Sequence, residues 1–300
     1  MDDNDIIKEI RQDVAAIRPD VLVPSEIVAK AEAIGHGKAN TEFLRLAVLA
    51  VMAGLFVGMG GMFLLLIKSD TSLPYFASQI LGGLCFCLAL FLVVAAGAEQ
   101  FAGNTLMVVG SLSKKYSWGS LLRTWGIVWV FNFVGSLLLV FLLFFAAYWK
   151  ADGGAIGVAM VTVSLDKIAQ GQASLGPSGW VTILFKGIMC NFLFGLAVWI
   201  GYSGRTVVDK LAAIVLPVTA FVACGFEHSV ANMFLLPMGW LIKVTGVIDT
   251  SAISGINMLS VGGIFYNISA ATIGNIIGGA GLVGLSYWLA YRKSQKVKNS

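Results

Sequence analysis

The feature that most constrains this chain is where its charges are missing. Between Leu46 and Met62 there is no Asp, Glu, Lys or Arg, and Thr71 to Ala98 has none either. A helix rising about 1.5 Å per residue crosses a hydrocarbon layer of about 30 Å in roughly 20 residues, so such runs read as membrane spans. Composition agrees: of 300 residues, 12% are charged and 58% hydrophobic, where a soluble domain carries roughly twice that charge. Met1 to Glu9 is acidic and no apolar run follows before Leu44, a pattern unlike a cleavable signal peptide. Cys85, Cys87, Cys190 and Cys224 all fall in apolar runs. Cys85 and Cys87, two apart, point to different faces of a helix and read as packing residues, so no metal site or cofactor is expected.

Residues 1–43 read as a polar cytoplasmic segment. In it Pro24-Ser25-Glu26 opens a short amphipathic surface helix through Ala33, closed by Gly35 and Gly37. Six hydrophobic regions follow, at about 44–67, 76–112, 120–149, 178–203, 208–245 and 262–291, and 292–300 is a basic tail. The second and fifth are too long for one straight crossing and too short for two with a loop. Each is interrupted by polar residues, Gly97-Ala98-Glu99-Gln100 and Gly225-Phe226-Glu227-His228. A helix broken partway through the membrane is the economical reading, and such backbone survives only where protein buries it or it lines a cavity.

With the N-terminus inside, the cytoplasmic side collects Lys8, Arg11, Arg18, Lys30, Lys38, Arg45, Lys114, Lys115, Arg123, Arg205, Lys210, Arg292, Lys293, Lys296 and Lys298. These are most of the 20 basic residues, so the positive-inside rule puts both termini in the cytoplasm. The net charge of +4 reflects that topology and is no sign of a nucleic-acid partner.

The two interruptions share a spacing, Gly97-x-Glu99-x-x-x-x-Asn104 and Gly225-x-Glu227-x-x-x-x-Asn232. Asn132-x-x-Gly135 in the third region is matched by Asn275-x-x-Gly278 in the sixth. Gly54-Leu55-x-Val57-x-x-Gly60 in the first is matched by Gly195-Leu196-x-Val198-x-x-Gly201 in the fourth. The three pairs occur in the same order, one half-chain apart. Halves at about 44–149 and 178–291, each with three spans, must run in opposite directions through the membrane. The fold expected is therefore an all-α, six-span inverted repeat with broken second and fifth helices and a site near midplane.

Half-helices beginning near Gly103 and Val230 would point unpaired N–H groups and positive dipole ends at the centre, which favours an anion. Glu99, Glu227 and His228 are the ionisable residues placed deep in the spans, apart from Lys186. A free carboxylate in the pore would repel an anion, so the two glutamates read as loop-holding groups, with Asn104 and Asn232 beside them. His228 has no repeat partner, since Gln100 occupies the equivalent position, and it reads as a proton or hydrogen-bond donor to a permeant. Phe86 and Leu90 share a helical face leading to Gly97, and Phe221 leads toward His228. Spacing alone leaves these three open between core packing and hydrophobic constrictions.

With these residues in view, the chain resembles the formate/nitrite transporter family from about Pro24 to Tyr291. The most specific piece is Gly225-Phe226-Glu227-His228-Ser229-Val230-Ala231-Asn232-Met233-Phe234, followed by Lys186 to Asn191 with Leu196-Ala197-Val198-Trp199. Gly97-Ala98-Glu99, Phe101 and Gly103-Asn104-Thr105 add to it. The resemblance implies a homopentamer of aquaporin-like protomers in membrane lipid, each with its own pore. It implies that His228 is the central pore histidine and Asn191 a polar neighbour. It also implies that Phe86, Leu90 and Phe221 form constrictions, and that Lys167, in the loop before the fourth span, is a vestibule lysine. The sequence departs from the family's Leu-Phe-Thr after the loop glutamate, placing Gln100, Phe101 and Ala102 there, so gating and substrate preference are expected to differ.

The function expected is permeation of a small monovalent anion, formate first, with nitrite, hydrosulfide, acetate and lactate as alternatives. His228 is expected to make it pH-dependent or proton-coupled. An enzyme is not expected. Gly201-Tyr202-Ser203-Gly204 matches the G-x-S-G pattern of intramembrane serine proteases, yet Ser203 and His228 come out roughly 20 Å apart at helical rise, too far for a nucleophile and its base. A neutral-solute channel is the remaining alternative.

Overall fold

The computed structural model describes residues 21–172 and 177–292, together with Ile7. Lys8, Arg11, Arg18, Lys293, Lys296, Lys298 and the centre of the 169–178 loop lie outside the described residues.

The described chain is helical throughout. In order it forms α1 (Pro24–Ala39), α2 (Phe43–Ser69), α3 (Tyr75–Leu92), α4 (Phe101–Leu112) and α5 (Trp118–Phe145). Then come α6 (Ala155–Gln172), α7 (Pro177–Ser203), α8 (Val207–Ala223), α9 (Ser229–Thr245) and α10 (Val261–Ile276). Wider π turns carry α3 on to Gly97 and α10 on toward Arg292. Among the described residues, five stretches are long and apolar enough to cross a membrane: Phe43–Ser69, Tyr75–Gly97, Trp118–Phe145, Gly179–Ser203 and Val261–Arg292. The region expected at 208–245 is split into α8 and α9, each shorter than a span.

Three sequence expectations are corrected. The first helix does not close at Gly35 but runs to Ala39, because Gly35 packs where a Cβ would strike the Tyr116 hydroxyl. The half-helices begin at Phe101 and Ser229, one or two residues before the expected Gly103 and Val230. Lys167 is not in a loop: it lies on α6, a helix that hydropathy alone does not flag because Thr, Ser, Asp and Lys punctuate it.

Breaking a helix at membrane depth strands backbone groups that must be bonded within the protein. At both breaks a glycine takes positive φ (Gly97 +83°, Gly225 +66°), a conformation without the Cβ penalty other residues meet. An asparagine then stitches each break to its neighbours. The Asn132 amide donates to Ala50 O at 2.8 Å and Glu99 O at 2.9 Å, and its Oδ1 accepts the Phe101 N–H at 2.9 Å. Asn275 does the same for the other break, donating to Gly187 O (2.9 Å) and Glu227 O (3.0 Å) and accepting from the Ser229 N–H (2.9 Å). Both asparagines are fully buried, each at a helix crossing, α2 with α5 and α7 with α10.

Candidate functional site

The breaks bring two cavities toward one another. The first, about 420 Å³, is lined by Lys30, Lys38, Arg45 and Lys210 and by Leu90 and Gln100. The second, about 330 Å³, is lined by Lys68, Lys167 and Asp166 and by Phe86, Phe221, Glu227 and His228. Gln100 lines one and His228 the other, and the two side chains meet at 3.3 Å, Nε2 to Nε2. That contact is the partition between the cavities.

Apolar rings surround it. Phe221 stacks on the His228 imidazole at 6.0 Å and 20°, and Phe86 meets Phe221 edge-on at 6.1 Å. Phe194 comes closest, with its ring centroid 5.0 Å from that of His228. His228 is 2% exposed and Gln100 3%. A bare anion here would lose its water, so each donor facing the partition carries more weight than it would in solvent.

The carboxylates are held away from this role by cations. Lys38 Nζ reaches Glu99 Oε2 at 2.8 Å and Asn104 Oδ1 at 2.7 Å, and the Asn104 amide donates to the same Glu99 oxygen at 2.9 Å. Lys167 Nζ lies 3.2 Å from both oxygens of Glu227, and the Asn232 amide donates to Glu227 Oε2 at 2.6 Å. Asn267 donates to the Lys167 carbonyl at 3.1 Å, tying α10 to α6. Each glutamate is thus neutralised by one lysine and bonded by an asparagine five residues on, and Glu227 takes a longer contact from Asn267 at 3.4 Å as well. The rim of the first cavity keeps a positive field: burial, then the charges of Lys210 and Arg205, hold the Lys30 pKa below its ordinary value.

Of the residues singled out in the sequence, His228, Gln100, Phe86, Leu90 and Phe221 line the cavities. Phe101 does not: its ring packs edge-on against Trp125 of α5 at 6.2 Å. Ala102 and Asn191 line neither cavity. Asn191 Nδ2 instead donates to Ala102 O (3.2 Å), Thr105 Oγ1 (3.1 Å) and Asn275 O (2.6 Å), fastening one break to the crossing that supports the other. The half-helix starts also differ from expectation, since Asn132, Asn275 and the His228 Nδ1 take the N–H groups of Phe101, Ser229 and Ala231. Side chains thus take one first-turn N–H of α4 and two of α9, so these three do not point free at an anion, while the positive dipole ends remain.

Two site residues escape sequence reasoning. Phe194 stands one turn beyond Asn191, a spacing that places it on the same face. Lys38 carries no local signal, because its partner Glu99 is 61 residues away. Ser203 of the G-x-S-G pattern donates to Ile200 O of its own helix at 2.6 Å, while the His228 nitrogens engage Ala231 and Gln100. No nucleophile–base pair forms there.

Comparison with known proteins agrees with this geometry. Residues 25–289 match the family model described as Formate/nitrite transporter. The chain is 36% identical over 279 residues to the formate channel FocA of Escherichia coli (strain K12), covering 91% of this chain and 95% of that one. It is 31% identical over 280 residues to a probable formate transporter of Methanothermobacter thermautotrophicus, covering 90% and 97%. Among solved structures, a pentameric formate channel with formate bound superposes with a TM-score of 0.74 at 35% identity, over 83% of this chain and 98% of the other.

Proposed function

The chain belongs to the formate/nitrite transporter family and is a multi-pass integral membrane protein, and from that premise we propose that it is a channel for small monovalent anions with formate as its principal permeant. The observation that carries this reading is the pair of cavities, the first rimmed by Lys30, Lys38, Arg45 and Lys210 and the second holding Lys68 and Lys167 beside Asp166 and Glu227, that end at the Gln100–His228 contact. An anion drawn to Lys30, Lys38, Arg45 and Lys210, or to Lys68 and Lys167, reaches a partition whose walls are phenyl rings and whose polar contacts are His228 and Gln100. Such a filter passes an anion small enough to exchange its hydration for two donors, and it offers no reacting group of its own.

His228 is read as the donor at that partition. Its Nδ1 accepts the Ala231 N–H at 3.1 Å and caps α9, so the neutral ring carries its proton on Nε2. Donation from Nε2–H leaves the ring neutral. Outright proton transfer would require a second proton on Nδ1 first, and with it loss of the cap on α9. Currents and internal pH recorded together in proteoliposomes separate donation from proton coupling.

The finer architecture follows the same reading. The matching asparagine stitches, lysine–glutamate pairs and helix crossings support a three-plus-three inverted repeat, with α4 and α9 as half-helices. The pentameric relative supports a homopentamer with one pore per protomer. The basic rim formed by Lys30, Lys38, Arg45 and Lys210 supports cytoplasmic termini in a plasma or inner membrane.

The test is transport by purified protein in proteoliposomes for formate, nitrite, hydrosulfide, acetate and lactate. His228→Ala is expected to lower formate flux about tenfold or more, the loss of a hydrogen bond to a charged group. Absence of any anion-dependent current from folded wild-type pentamers would sink the channel reading.

A further inference from the structure

Two nitrogens meet at the partition, and one buried oxygen beside them is left over. Gln100 Nε2 lies 3.3 Å from His228 Nε2, while Gln100 Oε1 is buried without a hydrogen-bond partner. The Ala231 N–H occupies Nδ1 of the ring, so Nε2 of a neutral ring is a donor, and two N–H groups cannot bond to each other. A half-turn of the amide resolves both problems. Oε1 then accepts from the His228 Nε2–H, and the –NH₂ takes the buried position that Oε1 held on Gln100, a residue that lines the first cavity. The two arrangements differ only by rotation about the last side-chain bond of Gln100, a soft, roughly two-fold torsion.

We propose that Gln100 is a specificity-determining residue: its amide occupies the His228 Nε2–H at rest and turns to present its –NH₂ when an anion takes that place, forming with His228 a two-donor clamp for a two-oxygen anion. This rests on the channel reading above. At rest the Oε1 orientation seals the partition and pairs Gln100 Oε1 with the His228 Nε2–H. With an anion between the side chains, the –NH₂ orientation seen at 3.3 Å puts two N–H donors side by side. A carboxylate or nitrite can take one donor on each oxygen. Hydrosulfide offers a single weak sulfur acceptor and does not make good the Gln100–His228 bond it must break. The clamp therefore favours planar two-oxygen anions over one-atom anions of similar size.

The test compares formate and hydrosulfide fluxes in proteoliposomes of wild type and Gln100→Met, a substitution of similar volume without polar hydrogens. The formate-to-hydrosulfide flux ratio is expected to fall about tenfold in Gln100→Met, with folding and pentamer formation checked by melting temperature and size-exclusion profile. A ratio within twofold of wild type in folded protein overturns the proposal while leaving the channel reading intact. Loss of all anion flux in wild type would instead count against the channel reading. Because the variant could fail to fold, wild-type protein labelled with ¹⁵N gives a second measurement. The His228 ring is expected to show its proton on Nε2, and formate is expected to shift the Gln100 side-chain amide signal where hydrosulfide does not. A proton on Nδ1, or equal shifts with both anions, overturns the clamp.

Discussion

Replacing Lys167 with methionine is expected to destabilise the protein by about 3–5 kcal/mol and to cut formate flux more than tenfold. Glu227 is 1% exposed and loses its one cationic partner in this variant, keeping only amide donors, Asn232 at 2.6 Å and the longer contact from Asn267 at 3.4 Å. An ionised carboxylate left so is either buried unpaired or forced to take up a proton, and both weaken the folded state. The transport effect adds to this, because Glu227 and His228 line the same cavity and the uncompensated charge would face the incoming anion. Two controls separate the causes. Lys167→Met with Glu227→Gln removes both charges together and is expected to recover most of the stability, since the pair's net contribution is smaller than the penalty of breaking it. Lys38→Met, on the equivalent pair, is expected to lose only about 1 kcal/mol. There the side chains are 21% and 13% exposed, so water screens the charge left behind. Thermal melts of the four proteins give the comparison, and a Lys167→Met melt equal to that of Lys38→Met would refute the buried-charge argument.

How far the sequence reveals this arrangement depends on the range of each interaction. The breaks at 97–100 and 225–228 are legible because each places polar residues and a glycine within an otherwise apolar run. The repeated Glu–Asn spacing is legible because both partners sit on one short segment, Glu99 with Asn104 and Glu227 with Asn232. What closes each cluster is not local. Lys38 reaches Glu99 across 61 residues and Lys167 reaches Glu227 across 60, and no periodicity encodes such a pairing. The helix α6 that delivers Lys167 is half-polar, so a search for membrane spans passes over it. Phe101 and Phe194 show the same limit. Each lies in an apolar run with several candidate faces, and only the packing of α5 and α7 turns the first toward Trp125 and the second toward His228. Asn132 and Asn275 stand out as a matched pair in the sequence, yet their job of accepting from one break residue and donating to another becomes visible only once the helices cross.

Those crossings make Gly135→Ala and Gly278→Ala damaging despite their small size. A Cβ on Gly135 would stand 2.1 Å from Val51 O, and one on Gly278 2.2 Å from Ile188 O. Side chains can rotate out of such contacts, but these obstacles are helix backbone. The helices themselves must separate, and the Asn132 and Asn275 bonds to the neighbouring carbonyls of Ala50 and Gly187 lengthen with them. Overpacking alone destabilises by about 1–3 kcal/mol, and the strained amide bonds add about 1 kcal/mol each, so a loss of about 3 kcal/mol or more is expected at either site. Flux should fall with stability, since the same asparagines hold the backbone carbonyls of Glu99 and Glu227, the residues just before Gln100 and His228. A helical glycine with open space above it provides the contrast. Gly37→Ala in α1 meets nothing within 4 Å and is expected to stabilise by about 0.5–1 kcal/mol through helix propensity alone. Melting temperatures and yields of folded protein for the three variants decide the matter. If Gly135→Ala and Gly278→Ala melt like wild type, close helix approach is not what positions the breaks, and the asparagine stitches must hold them without it.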